Sequence, residues 1–353
     1  MKIFFSSLFA LGIIICCGLV FFNAPELPIA VEKHRGVNWV AGSRPVSEEE
    51  FKSLIADNVD WIAQTPFAWQ GRHDSPELRL ITEGVMWGET DAGLEATTRL
   101  AKKLGIKTLL KPHVWVTERG VSVIDIAMEN EADWQNWFQN YRLFILHYAR
   151  LAERLGIEAL CIGTELQGTT PAREPDWRKL IKEIRVAYHG KLAYAANWYK
   201  EFEDVKFWND LDFIAIQAYF PLTEKENPSL DELKTGWQPH LAAIEKVQRL
   251  YRKPVLFTEI GYRSIPGCAI KPWEWPEHND QSSGDTGLQE QANAYGAFFQ
   301  TFWNRDWFGG AYIWKWYPTP RPSSRRSDGD FTPQNKPAEA VMKKWYAQGG
   351  RNK

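Results

Sequence analysis

Along the chain, short apolar runs alternate with longer segments in which apolar residues recur three and four positions apart. The runs lie at 36–40, 61–69, 108–115, 159–165, 192–198, 213–220, 255–262 and 311–317. Each is short enough for a strand and each leads into helical periodicity, the pattern produced by βα units and a parallel sheet. Eight such units predict an α/β fold, a closed (β/α)8 TIM barrel whose C-terminal strand ends all open on one face. The clearest helix runs from about 132 to 155, with Trp134, Trp137, Phe138, Tyr141, Phe144, Ile145, Tyr148, Leu151, Ala152 and Leu155 on one face. Gly156 stands where a helix C-terminal cap belongs, and Gly105 does the same after 90–104. Ser47 with Glu50, and Ser229 with Glu232, have the spacing of capping boxes at helix starts. This cadence leaves no tract for a second domain, so residues 31–353 are expected to form one catalytic unit. Its long loops fall at the C-terminal strand ends, at 70–89, 263–287 and 318–334. Structureless loops of that length are uncommon unless functional or mobile.

Residues 1–30 break the pattern. Between Lys2 and Asn23 the chain carries no charge, and only Ser6, Ser7, Gly12 and Gly18 punctuate the apolar run apart from its cysteines. The length suits a bilayer-spanning helix more than a signal-peptide core, and no clean small-x-small cleavage site follows. The segment is read as an export signal or membrane anchor followed by a linker. Lys2 favours an inside N-terminus, so the body is expected to be extracytoplasmic, released or tethered to the membrane.

Charge and cysteine content narrow the function further. The chain has 42 basic and 44 acidic residues with no block of one sign, which argues against a nucleic-acid partner. Cys161 falls in a predicted strand and Cys268 in a loop, and both are expected to be unpaired. No CxxC or Cys/His spacing points to zinc, and neither a metal nor a cofactor is implied. The sequence does not set the oligomeric state.

Two of the apolar runs end in glutamate. In Ala159-Leu-Cys-Ile-Gly-Thr-Glu165 and in Pro254-Val-Leu-Phe-Thr-Glu-Ile-Gly-Tyr262 the carboxylates Glu165 and Glu259 stand at strand mouths, where a barrel brings distant positions together. Such a pair suits glycoside hydrolysis: one group protonates the leaving oxygen while the other attacks or stabilises the oxocarbenium-like carbon. Strand ends also supply Phe67, Trp69, Lys111, His113, Trp115, Asn197, Trp198, Gln217, Tyr219, Trp314 and Trp316. A sugar site needs this mixture, because hydroxyls demand hydrogen-bond partners and ring faces demand flat apolar surface. Trp69, Lys111, His113, Asn197, Trp198, Tyr219, Trp314 and Trp316 are therefore the candidate substrate-binding residues. Tyr219 precedes Glu259 by one strand and is placed to donate a hydrogen bond that keeps the carboxylate ionised. The 18 tryptophans exceed what a core of this size needs; Trp273 and Trp275, between two prolines, are candidate stacking platforms. Arg321, Arg325, Arg326, Asp328 and Asp330 are read as a solvated face or as loop staples.

With these residues in view, the chain resembles clan A of the glycoside hydrolases, and within it most closely the family 113 β-mannanases. The likeness spans roughly residues 35–346. It rests on Ile162-Gly-Thr-Glu165, Phe257-Thr-Glu-Ile-Gly-Tyr262, Tyr312-Ile-Trp-Lys-Trp-Tyr-Pro318 and Asp330-Phe-Thr-Pro-Gln-Asn-Lys-Pro337. The resemblance implies a retaining glycosidase with Glu165 as acid/base, Glu259 as nucleophile and Tyr219 as the latter's hydrogen-bond partner. An eighth-strand tryptophan would floor the cleavage subsite, and β-1,4-mannan would be the substrate. Most of the clan has asparagine just before the acid/base, in contact with the sugar 2-hydroxyl; here that position is Thr164. The alternatives are a glycosidase of the same clan acting on another β-glycan, and a carbohydrate-binding barrel without catalysis.

Overall fold

The structure is a computed structural model that describes residues 32–80, 84–275, 284–319 and 329–348. The strands are β1 (His34–Trp39), β2 (Trp61–Gln64), β3 (Phe67–Gln70), β4 (Leu78–Leu80), β5 (Lys107–Leu110) and β6 (His113–Val116). They continue with β7 (Ala159–Thr164), β8 (Lys191–Asn197), β9 (Ile214–Gln217), β10 (Val255–Ile260) and β11 (Phe308–Trp316). Around them run α1 (Glu48–Ala56), α2 (Asp91–Lys103), α3 (Glu131–Leu155), α4 (Glu174–Ala187), the short α5 (Glu201–Asp204), α6 (Leu230–Tyr251), α7 (Gly284–Phe302) and α8 (Pro337–Tyr346). Eight strands close a parallel barrel in the order β1-β11-β10-β9-β8-β7-β5-β2, the (β/α)8 fold expected. The helix starts are those the caps announced: Glu50 accepts the Ser47 amide at 2.7 Å and Glu232 that of Ser229 at 2.8 Å. Gly156 ends α3 with φ 61°, a left-handed turn that glycine adopts without penalty.

Strand alternation sorts the core into two layers. Trp61, Ala63, Leu109, Ala159, Cys161, Ala193, Ala195, Phe213, Ala215, Leu256 and Tyr312 face inward as one cluster. Their neighbours, such as Ile62, Leu160, Ile162, Ile214, Ile216 and Phe257, face outward beneath the helices. The inner layer is rich in alanine because a few large rings fill the floor. His34 stacks on Trp61 at 3.8 Å and its Nδ1 lies 2.9 Å from the Tyr312 hydroxyl. The Tyr312 ring presses on Gly36, where a Cβ would lie 2.4 Å from its Cδ1, so that position admits only glycine.

The runs at 61–69 and 108–115, each expected as one strand, are in fact two. Pro66 and Pro112 stand at the breaks, and a proline has no N–H to give the barrel ladder. Past the prolines the chains leave the barrel and pair with each other, Phe67 with His113 and Trp69 with Trp115, while β4 adds on antiparallel. This small sheet stands above the barrel mouth. It puts Phe67, Trp69, His113 and Trp115 on one face and Ala68, Val114 and Val116 on the other, in the core; the Trp137 indole of α3 donates to Gln70 there at 3.0 Å. The loop at 70–89 is thus partly sheet. The loops at 263–287 and 318–334 are described only in part: Arg321, Arg325, Arg326 and Asp328 lie outside the described residues, as does the 1–30 segment. Asp330, within them, accepts a hydrogen bond from the Tyr317 hydroxyl at 2.8 Å and staples the mouth. Cys161 and Cys268 are both free and buried, the loop position included.

Candidate active site

Glu259 is brought inward by an irregularity in β10. Phe257 pairs with Ile216, but Glu259, two residues on, pairs with the next residue, Gln217. The extra residue turns the carboxylate to the side it would otherwise face away from. Its Oε1 accepts the Lys111 ammonium at 2.5 Å and its Oε2 the Tyr219 hydroxyl at 2.6 Å. Lys111 is two residues beyond the inward-facing Leu109 and is wholly buried, as Glu259 nearly is. Burial alone would push the Glu259 pKa up; the Lys111 charge, then that of His113, and the hydrogen bonds from Lys111 and Tyr219 outweigh it, and the pKa is lowered. His113 Nε2 lies 3.9 Å from Glu259 Oε1. Its burial and the Lys111 charge hold the imidazole pKa at about 3, so the ring is neutral at pH 7 and Lys111 is the cation that matters.

Glu165 sits on a second irregularity. On β7, Cys161 pairs with Ala193 and Thr164 with Ala195, again one residue too many, and Glu165 follows with φ 53°. Among the described residues no cation touches its carboxyl. Asn197, at the end of β8, donates from its Nδ2 to Glu165 Oε1 at 2.7 Å, and the Tyr199 backbone N–H donates to the Asn197 side-chain Oδ1 at 2.8 Å. Burial, then the charges of Glu259 and Glu201, raise the Glu165 pKa to about 8 against the Asn197 hydrogen bond and the Lys111 charge.

The other expected residues fall into three groups. Asn197, Tyr219, Lys111 and His113 converge on the two carboxyls, although Lys111 is spent on Glu259 rather than exposed to a ligand. Trp69 stands on the small sheet beside Trp115, ring centroids 6.3 Å apart, and Trp198 stacks on Trp273 across the opening at 4.8 Å. The last pair separates. Trp314 is partly exposed with its ring 5.6 Å from the Lys111 ammonium, whereas Trp316 is wholly buried in the outer core and presents no face to the mouth. Trp275 lies 4.9 Å from Phe331 and carries the Lys315 ammonium 4.7 Å above its ring. Thr164, where most of the clan has asparagine, is buried, and the amide next to the carboxyl comes from Asn197 instead. Glu201 went unnoticed in the sequence because it sits in a short polar turn with no periodicity to mark it. Among the described residues no group of three or more His, Cys, Asp or Glu is arranged to hold a metal.

The sequence model of Glycoside Hydrolase Family 113 matches residues 36–336. The chain belongs to that family. No curated protein matches it by sequence. Among solved structures, the GH113 β-mannanase AaManA from Alicyclobacillus acidocaldarius in complex with ManMIm superposes with a TM-score of 0.77 at 26% identity, covering 91% of this chain and 99% of that one. A GH113 β-1,4-mannanase complex gives 0.76 at 27%, covering 90% and 99%. A β-glucuronidase from Ruminococcus gnavus shares the fold alone, with a TM-score of 0.57 at 11% identity over 85% of this chain and 46% of its own.

As a family 113 glycoside hydrolase the protein acts on carbohydrate. The two carboxyls at its mouth are displaced in opposite directions, Glu165 upward to about 8 and Glu259 downward.

Proposed function

We propose that this family 113 hydrolase is a retaining β-mannanase with Glu165 as acid/base and Glu259 as nucleophile. The observation that carries the reading is the opposite displacement of the two interacting carboxyls, one raised to about 8 and the other lowered. Ionised Glu259 attacks the anomeric carbon while Glu165 gives its proton to the departing glycosidic oxygen. Water then attacks the glycosyl ester as Glu165, now ionised, takes the water's proton, and Glu259 leaves as a carboxylate. Tyr219 and Lys111 hold the nucleophile by its two oxygens. Trp314 supplies the floor for the sugar, and Trp69, His113, Asn197 and Trp198 line it. β-Mannan is chosen because family 113 relatives that align over nearly their whole length are β-mannanases. Product analysis on β-mannan, β-glucan, xylan and matching oligosaccharides tests the substrate, and the anomer first released, read by NMR, tests retention. Preference for another glycan overturns the first; an inverted first product overturns the second.

We also propose that residues 1–30 carry the enzyme out of the cytoplasm and can hold it at the membrane. The support is the uncharged run at 3–22. No helix among the described residues is long and apolar enough to cross a membrane. A shortened protein beginning near Val31 should be soluble and active. Insolubility of that protein, with activity of the whole chain in detergent, would assign the segment to the fold.

A further inference from the structure

Beyond the two carboxyls of the reaction, the mouth holds a third buried one. Glu201 opens α5 and is wholly buried. Its Oε1 accepts the Tyr194 hydroxyl at 2.5 Å and the Thr170 hydroxyl at 3.1 Å, and its Oε2 accepts the backbone N–H of Asn197 at 2.6 Å. The Tyr194 hydroxyl in turn accepts the amide of Leu166, the residue after Glu165, at 2.9 Å. One carboxylate therefore grips the chain on both sides of the acid/base: the β7 end through Tyr194 and Leu166, and the β8 end through Asn197, whose side chain reaches Glu165 at 2.7 Å.

We infer that Glu201 is a positioning residue for the acid/base, fixing the Asn197 amide against Glu165 and placing a buried negative charge beside it that keeps its proton on. This rests on the proposed role of Glu165. Glu201 does not touch the sugar. The titratable groups around it are Tyr194, which donates to it, Asp204 in the same short helix, and Glu165. Burial lifts the Glu201 pKa to about 7 against its three hydrogen bonds, so its charge develops in the range where a protonated Glu165 is needed. As that charge appears it opposes ionisation of Glu165, so the acid stays armed to higher pH.

The test uses the full-length protein with Glu201→Gln, which keeps size but not charge, and Glu201→Asp, which keeps charge but not reach. In the substrate-free protein, carbon-13 NMR of labelled glutamate, with Glu165→Gln to assign the signal, follows the Glu165 carboxyl directly. The glutamine variant should titrate at lower pH than wild type. Its kcat/KM on β-mannan should fall about tenfold or more, part of the ~10²–10⁴-fold that general acid catalysis contributes. The loss should be smaller on an aryl glycoside with a good leaving group. The aspartate variant should lose rate on β-mannan with no downward shift, and it carries the test alone where the glutamine protein fails to fold. An unmoved Glu165 titration in the glutamine variant, equal losses on both substrates, or a wild-type rate in the aspartate variant would overturn the inference. A wild-type protein that cleaves no β-glycan defeats the proposed reaction instead, while the titration, which needs no substrate, still tests the link to Glu165.

Discussion

Glu165 and Glu259 are the same residue at equivalent places, each following a strand irregularity at the barrel mouth and each largely out of water. What separates them is who stands next to them. Glu259 has an ammonium at 2.5 Å and a phenol at 2.6 Å, both donors to the charged form. Glu165 has one amide at 2.7 Å, and the charges that weigh most on it are those of two other carboxyls. Burial pushes both pKa values upward, yet they end on opposite sides of the ordinary carboxylate value. In a low-dielectric site the neighbours decide the sign, and burial sets how strongly they are felt.

Removing each neighbour or each carboxyl puts that contrast to the test. The largest effect is expected from Glu259→Ala, which should cut turnover ~10⁴-fold or more, as loss of a nucleophile does elsewhere. Azide should restore part of it and yield a glycosyl azide of inverted configuration; no rescue would count against Glu259 as the nucleophile. Next comes Glu165→Ala, expected to lose ~10²–10⁴-fold on natural glycans while sparing the first step on substrates with good leaving groups. On the proposed mechanism Glu165 must be protonated and Glu259 ionised. Activity should therefore fall as pH rises through about 8 and again as pH drops below the lowered pKa of Glu259. The basic limb should vanish from the Glu165→Ala profile; a limb that persists belongs to another group.

Lys111→Met strikes the other side. Without its cation, buried Glu259 should hold its proton to higher pH, so the acid limb of kcat/KM moves up. Unfolding stability at neutral pH should fall by up to about 3–5 kcal/mol, the cost of stranding one member of a buried pair, and by less where Glu259 takes up a proton. An unmoved acid limb would mean that Tyr219 alone keeps Glu259 ionised. The smallest change is expected from Asn197→Ala. Its hydrogen bond favours ionised Glu165, so its loss should move the basic limb upward, by under about one pH unit for a bond of ~1 kcal/mol. A downward shift would reverse the role given to that amide.

The broad plan of this barrel was legible because it rests on periodicity. Four helices, those opened by Ser47 and Ser229 and those closed by Gly105 and Gly156, and all eight barrel strands were marked by serine caps, terminal glycines and apolar runs, and both glutamates stood where apolar runs stop. The fine aim of the site was not legible, because it depends on irregularities that leave no periodic mark. Nothing in Phe257-Thr258-Glu259 announces that Thr258 is supernumerary against β9. Pro66 and Pro112 were a signal present in the sequence, since each interrupts a ladder, and reading them as strand breaks would have placed Phe67, Trp69, His113 and Trp115 on a separate sheet. The pairing of Lys111 with Glu259 joins positions 148 apart, a closeness that only ring closure brings about. Trp314 and Trp316 share a parity on β11, so alternation alone could not tell the partly exposed ring from the buried one.

The stacked rings at the bottom of the barrel have a consequence for traffic. With His34, Trp61 and Tyr312 packed across the floor and Gly36 closed over by an aromatic ring, the barrel is a blind cup with a single opening. No glycan can be threaded through it. A glycan can enter the cup only from the rim, and both fragments left by a cut depart over the same lip.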